Sequence, residues 1–437
     1  AGPGGHVAHT ALEYVFAQVE GGVCCPLTMT YAAVPLLRRV PELDAVWTPK
    51  VLSGRYDPRL VPVAEKQGAT IGMAMTEKQG GSDVRSNETR AEPAGDGWYR
   101  LTGHKWFCSA PMSDAFFTLA RTEHGLSCFF LPRWRPDGTR NPFFIQRLKD
   151  KLGNWSNASA EIEYAGSLAL LVGEEGRGIQ TIIEMVHHTR LDTAMAPTAL
   201  MRQALVQAIH HARHRIAFQR RLVDQPMMRR VLADLALEVE GAVALLMRTA
   251  RGYDEAAAGD GDAARFARLA VSLAKYHINR QCPHFVYEAL ECLGGNGYVE
   301  ENIMPRLYRE APLNSIWEGS GNVICLDLLR AVGKDPAVLD LYFAELRAAR
   351  GGSRLLDRAA DALQETWRAT PGEGAARRLA ERMAVALQAS LLVRHAPAEV
   401  GDAFAATRLD PDARGCAYGA HEARIDEDMI LSRALPA

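Results

Sequence analysis

The chain has 437 residues, with 50 Lys and Arg against 52 Asp and Glu for a formal net charge of −2, which excludes a strongly basic nucleic-acid module. With 48% hydrophobic and 23% charged residues it has the composition of a compact protein with a large core, in which most of the chain is ordered. No run of about 18 apolar residues suggests a membrane span, and Ala1-Gly-Pro-Gly-Gly leads into polar sequence rather than a signal-peptide stretch. The expectation is a cytoplasmic protein with no membrane partner.

The predicted elements run helical, then β, then helical. Residues 1–70 carry helical runs at Val7–Val19 and Thr28–Leu37. Residues 71–175 change to short apolar runs broken by Gly, Asp, Asn and Pro: Ile71–Met75, Trp98–Thr102, Phe116–Ala120, Ser127–Leu131, Phe143–Leu148 and Glu161–Tyr164. That texture predicts an antiparallel β domain of about 100 residues. Residues 176–335 show apolar residues at i, i+3 and i+4 over Ile179–Arg213, Met227–Tyr253 and Ala263–Leu293, the pattern of long helices packed as a bundle. Ala256–Asp262 is predicted as the loop between two of them, and residues 336–437 as a helical extension with a break near Gly351–Ser353. The fold class expected is α+β, mostly α.

Eight cysteines occur with no CxxC pair and no His/Cys ligand spacing, so neither a zinc site nor a disulfide frame is expected. The sequons at Asn154 and Asn157 would matter only in a secreted protein. There is no GxGxxG after a strand, no GxxxxGK, no GxSxG and no HExxH, which removes most support for Rossmann, P-loop, α/β-hydrolase and zincin chemistry. Glycine and hydroxyl clusters beside carboxylates remain in four places. Met73-Ala-Met-Thr-Glu-Lys-Gln-Gly-Gly-Ser-Asp83 follows a predicted strand and combines the Thr76 and Ser82 hydroxyls with paired glycines. Glycines let a backbone approach a ligand, and hydroxyls with free N–H groups suit a phosphate or a polar ring edge; a simple turn is the other reading. Gly103-His-Lys-Trp-Phe-Cys-Ser109 offers Trp106 and Phe107 as a flat apolar wall beside the Ser109 hydroxyl, or as ordinary strand core. Glu291-Cys-Leu-Gly-Gly-Asn-Gly-Tyr298 ends a long helix with more glycine than a C-cap needs, which points to close approach of a phosphate or another subunit. Ile316-Trp-Glu-Gly-Ser-Gly-Asn322 opens a helix, where Ser and Asn favour anions, and sets Glu318 in a loop where it can act as a base.

Together these segments resemble the acyl-CoA dehydrogenase family of flavoproteins, and within it the alkylation-response, AidB-type branch, which is similar to isovaleryl-CoA dehydrogenase. The resemblance covers about Ile71 to Arg330. It rests on Ala74-Met-Thr-Glu-Lys-Gln-Gly-Gly-Ser-Asp-Val-Arg-Ser86, and on Glu291 through Tyr298 with Glu301, Arg306 and Glu310 at the family's intervals. Asp150-Lys-Leu-Gly153, Gly173-Glu-Glu-Gly-Arg-Gly178 and Arg215-x-x-Phe218 agree with it. It implies a helical N-terminal region, a middle β domain and a C-terminal four-helix bundle holding FAD between the β domain and the bundle. By the same resemblance the chain begins inside the N-terminal helical domain.

Carried over residue by residue, the resemblance implies that Met73, Met75, Thr76, Gly81 and Ser82 line the flavin and its pyrophosphate. Phe107, Cys108 and Ser109 would flank the ring, and Trp317, Ser320 and Asn322 would meet the rest of the cofactor. Arg215, Phe218, Glu291, Gly294 and Gly295 would reach the FAD of a neighbouring subunit, which makes a homodimer or homotetramer the expected assembly. Glu318 would take the α-proton of an acyl-CoA thioester, with an electron-transfer partner as the acceptor of the electrons. The alternative basic position of the isovaleryl-type branch holds Thr189 here, and Arg190 beside it is expected at the substrate. Gln219 and Trp155 stand where the family usually has Gly and Arg.

The AidB-type resemblance also implies a second function, a flavoprotein that binds double-stranded DNA in the response to alkylation damage, with weak or vestigial dehydrogenase activity. Seven arginines (Arg202, Arg213, Arg215, Arg220, Arg221, Arg229, Arg230) against Asp224 alone between Met201 and Arg230 could neutralise phosphates. A third reading, a flavin oxidase or nitroalkane-type enzyme on the same scaffold, would use O₂ as acceptor.

Overall fold

The structure, a computed structural model, describes residues 2–413 and 415–435. Its helices are α1 (Gly5–Ala17), α2 (Cys24–Leu37), α3 (Pro41–Val51), α4 (Gly178–His214), α5 (Pro226–Ala257), α6 (Gly261–Glu291), α7 (Met304–Glu310), α8 (Gly321–Lys334), α9 (Ala337–Arg347), α10 (Arg354–Arg368), α11 (Ala376–His395), α12 (Ala398–Arg408) and α13 (Glu427–Ala434). Its strands are β1 (Ile71–Ala74), β2 (Arg90–Gly95), β3 (Trp98–Ser109), β4 (Ala115–Thr122), β5 (Gly125–Pro132), β6 (Phe143–Leu148), β7 (Ser159–Val172), β8 (Ile216–Ala217) and β9 (Arg220–Arg221). The described residues form two compact units, one of residues 20–189 and the other of the chain up to Val19 together with that from Arg190 onward.

In the first unit β4, β2, β3, β7 and β5 pair in succession and β5 returns to β4, so the sheet closes on itself, with β1 on β4 and β6 on β7. The expected antiparallel domain is mixed: β1 pairs β4 in parallel, Ile71 opposite Ala115. Strand β2 went unpredicted because its side chains are mostly exposed and include Pro93, which leaves no apolar alternation to read. Side chains alternate across the sheet. Phe116, Phe129, Leu131, Ile162 and Tyr164 fill one side, while Met73, Phe117, Phe130 and Cys128 face the other with Leu36, Leu37 and Trp47 of α2 and α3. Asn154 and Asn157 are buried, which suits the reading of their sequons as incidental.

The second unit is helical. α5 buries Leu232, Leu235, Ala236, Val239, Ala242 and Leu246, apolar residues three or four apart, along a face packed on α6. α8 and α11 pack on α6, and α11 also packs on α5, while α1 lies against α5. The loop expected over Ala256–Asp262 is shorter, because Asp260 caps α6 by accepting from the Asp262 and Ala263 amides at 2.9 and 3.0 Å. No helix among the described residues is long and apolar enough to cross a membrane.

Candidate functional site

Strand β1 delivers the first signature segment to the edge of the β unit. The Thr118 hydroxyl donates to the Ala74 carbonyl at 2.6 Å, and the Asn87 amide donates to the Met75 carbonyl at 2.9 Å. Beyond them Glu77 turns inward. Its fully buried carboxylate accepts from the Lys105 ammonium at 2.6 Å, the Thr89 hydroxyl at 2.6 Å, the Glu88 amide at 2.7 Å and the Gln79 side chain at 2.9 Å. Burial works against the carboxylate, but Lys105 and the other donors hold its pKa below the ordinary value. Burial draws Lys105 down to about 8, with Glu77 opposing the shift. This inward anchor leaves Met75 and Thr76 half-buried and Ser82 exposed, while Met73 stays almost covered. Gly81 lies against Thr76: a Cβ there would come within 2.5 Å of the threonine hydroxyl.

The second segment meets the first through an irregularity in β3. Pairing with β7 shifts register between Lys105 and Cys108, so the Trp106 amide leaves that ladder and donates to the Thr76 carbonyl at 2.8 Å. Phe107 is 46% exposed, and the Ser109 hydroxyl lies 3.4 Å from that of Ser159. The Cys108 side chain faces the core, where burial pushes its thiol up to about 12, so only its backbone is available to a ligand. The wall expected to be apolar carries a cation, since the Lys149 ammonium lies 3.2 Å from the centre of the Trp106 ring and 4.8 Å from that of Phe107.

In the helical unit the fourth segment forms a loop leading into α8. Glu318 is half-buried and holds φ of 56°, and Gly319 follows at 101°, so two consecutive residues occupy the left-handed region. A non-glycine residue there costs about 1–2 kcal/mol and persists when its surroundings over-determine it. The surroundings are explicit. The Glu318 carbonyl accepts from the Arg190 guanidinium at 3.2 Å, and the Gly319 carbonyl accepts from the Lys275 ammonium at 2.5 Å. The Asn314 carbonyl accepts from the Asn279 amide at 2.7 Å and from Lys275 at 3.2 Å, and the Trp317 indole donates to the Asn314 side chain at 3.0 Å. Ser320 occupies the N-cap of α8 without a side-chain capping bond, and Asn322 is in the first turn of that helix.

Arg190, expected at the substrate, lies against the Glu318 loop. It is 5% exposed, and its guanidinium pairs with Asp327 of α8 at 2.8 Å, as Arg268 of α6 does at 2.7 Å. It is thereby a strut between α4, α8 and the Glu318 loop. Thr189 is buried and donates its hydroxyl to the Val186 carbonyl of its own helix.

The remaining predicted residues lie at the surface of the helical unit. After α4, Arg215 leads into a hairpin of β8 and β9 whose two turn residues, Phe218 and Gln219, have φ of 51° and 63°. Phe218 at its tip is 92% exposed. Glu291 is exposed at the end of α6 beside the Tyr287 hydroxyl. In the turn beyond, Cβ atoms at Gly294 and Gly295 would meet nothing within 4 Å, whereas one at Gly297 would come within 2.3 Å of the Leu290 carbonyl. Gly297 is thus a packing glycine, and Gly294 and Gly295 present bare backbone.

Sequence reasoning missed the residues that hold these loops: Glu77 with Lys105, and Lys275, Asn279 and Asp327. It also missed a triad in which half-buried His9 and buried Glu13 of α1 meet buried Asp192 of α4, with the imidazole Nε2 3.1 Å from each carboxylate. His9 and Glu13 stand four apart on one helix, a legible spacing, but nothing in the sequence marks Asp192 as their partner. Of the seven clustered arginines, five are engaged. Arg202 and Arg213 donate to the Ala434 and Leu435 carbonyls, Arg221 pairs with Asp224, and Arg229 and Arg230 reach Glu427, with Arg229 also on Asp428.

Comparison with known proteins agrees with this arrangement. Residues 176–333 match the acyl-CoA dehydrogenase C-terminal domain, residues 72–166 its middle domain, and residues 1–58 the adaptive response protein AidB N-terminal domain. The chain is 48% identical over 408 residues to a protein of Escherichia coli (strain K12) named AidB and provisionally designated an acyl-CoA dehydrogenase, covering 93% of this chain and 75% of that one. It is 34% identical over 347 residues to acyl-CoA dehydrogenase family member 11 of Caenorhabditis elegans, covering 76% of this chain and 56% of that one. The crystal structure of Caenorhabditis elegans ACDH-11 in complex with C11-CoA superposes with a TM-score of 0.81 at 27% identity, covering 94% of this chain and 75% of that one.

Proposed function

Because the chain belongs to the acyl-CoA dehydrogenase family, we propose that it binds FAD and oxidises an acyl-CoA thioester between its α and β carbons, with Glu318 as the base. The observation that carries this reading is the Glu318 loop, a strained left-handed backbone clamped from α4 and α6 at the residue that bears the carboxylate. The available groups fit the cofactor. The β unit offers the Thr76 and Ser82 hydroxyls, the half-exposed Phe107 ring and the Ser109 hydroxyl, with Met73, Met75, Gly81 and the Cys108 backbone shaping the surface around them. The helical unit offers Trp317, and Ser320 and Asn322 at a helix N-terminus, where backbone N–H groups suit a phosphate. When bound, FAD supplies an acceptor for the hydride leaving the β-carbon. The part played by this chain is proton removal: Glu318, half-buried in its loop, takes the α-proton. Residues 71–175 and 176–335 would be the working domains, with 1–70 and 336–437 around them.

The exposed Phe218 tip, Arg215, Glu291 and the bare backbone at Gly294 and Gly295 fit a role across a subunit interface, which makes a homodimer or homotetramer part of the proposal. An electron-transfer partner would reoxidise the flavin, and a cytoplasmic setting would supply one. Of the seven arginines behind the DNA-binding alternative, five already hold carboxylates or carbonyls, while Arg215 and Arg220 are exposed. Anaerobic titration of the purified protein with acyl-CoAs of increasing length, C11-CoA among them, tests the proposal. Bleaching of the flavin bands is expected, and flavin that no chain length reduces would overturn it.

A further inference from the structure

We propose that Lys275 is a positioning residue for Glu318, its buried ammonium both fixing the loop that carries the carboxylate and setting how readily that carboxylate accepts a proton. The inference rests on the reading of Glu318 as the base and adds a residue of α6 to it. Lys275 is 1% exposed, and the hydrogen bonds it donates go to the carbonyls of Asn314 and Gly319, at 3.2 and 2.5 Å. These two carbonyls bracket the segment that contains Trp317 and Glu318, so a single ammonium ties the loop on both sides of the base. A buried lysine satisfied by carbonyls is expensive, and a methionine of similar length would pack there at lower cost. What a methionine cannot supply is the pair of donors and the positive charge.

Geometry and charge act together at this point. Glu318 has left-handed backbone, which requires outside support, and that support comes from Lys275 on one carbonyl and Arg190 on the preceding one. Burial draws Lys275 down to about 7, Glu318 pulls it up and Arg190 pushes it down, so its charge at neutral pH depends on the ionisation of Glu318. The dependence is mutual: a protonated Lys275 favours an ionised Glu318. Charged groups on α5, α8 and α11, which pack on α6, have partners of their own. From α8 Asp327 holds Arg190 and Arg268, from α5 Glu238 faces His277, and from α11 Arg377 faces Tyr276.

The test compares wild type with Lys275→Met, Lys275→Gln and Lys275→Arg in the FAD-loaded protein. It reads the pH profile of flavin reduction by an acyl-CoA and, without substrate, the infrared titration of the carboxylic acid C=O band that Glu318→Gln removes. In Lys275→Met, loss of the cation is expected to move the acid limb and the infrared titration upward by about 1 pH unit. The rate at the plateau should fall about 10- to 100-fold as the loop loses its tie. Lys275→Gln keeps a donor and decides the matter if the methionine variant does not fold: its acid limb and infrared titration should move upward too. Lys275→Arg should return both toward wild type. Infrared titrations in the Met and Gln variants that overlay wild type would overturn the inference. A wild-type flavin that no acyl-CoA reduces would instead overturn the reading of Glu318 as a base, while the infrared titration still reports whether Lys275 and Glu318 are coupled.

Discussion

The Lys105 ammonium and the Glu77 carboxylate meet at 2.6 Å with neither side chain exposed, although one comes from the middle of a strand and the other from the loop beyond β1. Glu77 belongs to the most recognisable signature in the chain, and its carboxylate is buried against donors of the protein itself. Its work is to pin the loop from inside so that Thr76 and Ser82 can face outward. Removing one partner strands a buried charge, so Lys105→Met should cost about 3–5 kcal/mol in urea unfolding. With FAD bound as proposed, the sample should also lose it, measured by absorbance after gel filtration. A double replacement of Lys105 and Glu77 by apolar residues of similar size should recover much of the stability but not the loop, and so not the flavin.

Glu318→Gln keeps the shape of the loop side chain and removes its basicity. The expected outcome is a protein that stays yellow and folded while reduction of the flavin by acyl-CoA slows by about 10²- to 10⁴-fold in stopped-flow absorbance. A variant reduced at the wild-type rate would take Glu318 out of the mechanism.

The His9, Glu13 and Asp192 triad makes stability depend on pH. Burial alone would lower His9, but the two carboxylates overcome it and lift the imidazole from 6.5 to about 10. Burial and the Asp192 carboxylate push Glu13 from 4.5 up to about 8, against the pull of His9. Both groups hold their protons more tightly in the folded state, so both contributions favour folding at low pH and fade as pH rises. The Glu13 contribution is lost between about pH 4.5 and 8 and that of His9 between about 6.5 and 10, on the order of a few kcal/mol in all. Thermal melts across that range should show a falling midpoint, and Asp192→Asn should flatten the decline by removing a carboxylate that raises both groups.

The glycines after α6 separate packing from binding. Gly297→Ala would drive a Cβ into the Leu290 carbonyl and should destabilise the protein by about 1–3 kcal/mol. At Gly295 the same change meets open space, so stability should move by less than about 0.5 kcal/mol. Should this bare backbone receive the cofactor of a neighbouring subunit, Gly295→Val should lower FAD occupancy while leaving the melting temperature almost unchanged. Equal occupancy in wild type and Gly295→Val would remove that turn from the cofactor site.

Much of this was legible because it is local. The segments around Thr76, Phe107, Gly294 and Glu318 stand out by composition, and the long apolar periodicities of α4, α5 and α6 announce a bundle whatever their neighbours are. What escaped is what distance along the chain conceals. Lys275 reads as one polar residue in an amphipathic helix, and only the folded chain brings it beneath a loop some forty residues later. Arg190 sits beside the position that the resemblance marks for a base, so a substrate role was the natural expectation; its commitment to Asp327, 137 residues away, has no local signature. The parallel pairing of β1 with β4 escaped for the same reason, since alternation within a strand says nothing about the direction of its neighbour.

The engagement of the arginines by the last helix bears on how samples of this protein should be judged. Arg202 and Arg213 hold the carbonyls of Ala434 and Leu435, and Arg229 and Arg230 are met by Glu427 of α13. Two carboxylates of that short helix, Glu427 and Asp428, are counter-ions that the chain carries with it. A protease that clipped ahead of Asp426 would release four guanidinium groups at once, two of them from carboxylates, and leave the face more cationic. Such a sample would cling to DNA, heparin or any other polyanion with steep salt dependence. An affinity for DNA therefore carries meaning only when mass spectrometry shows the C-terminal helix still in place.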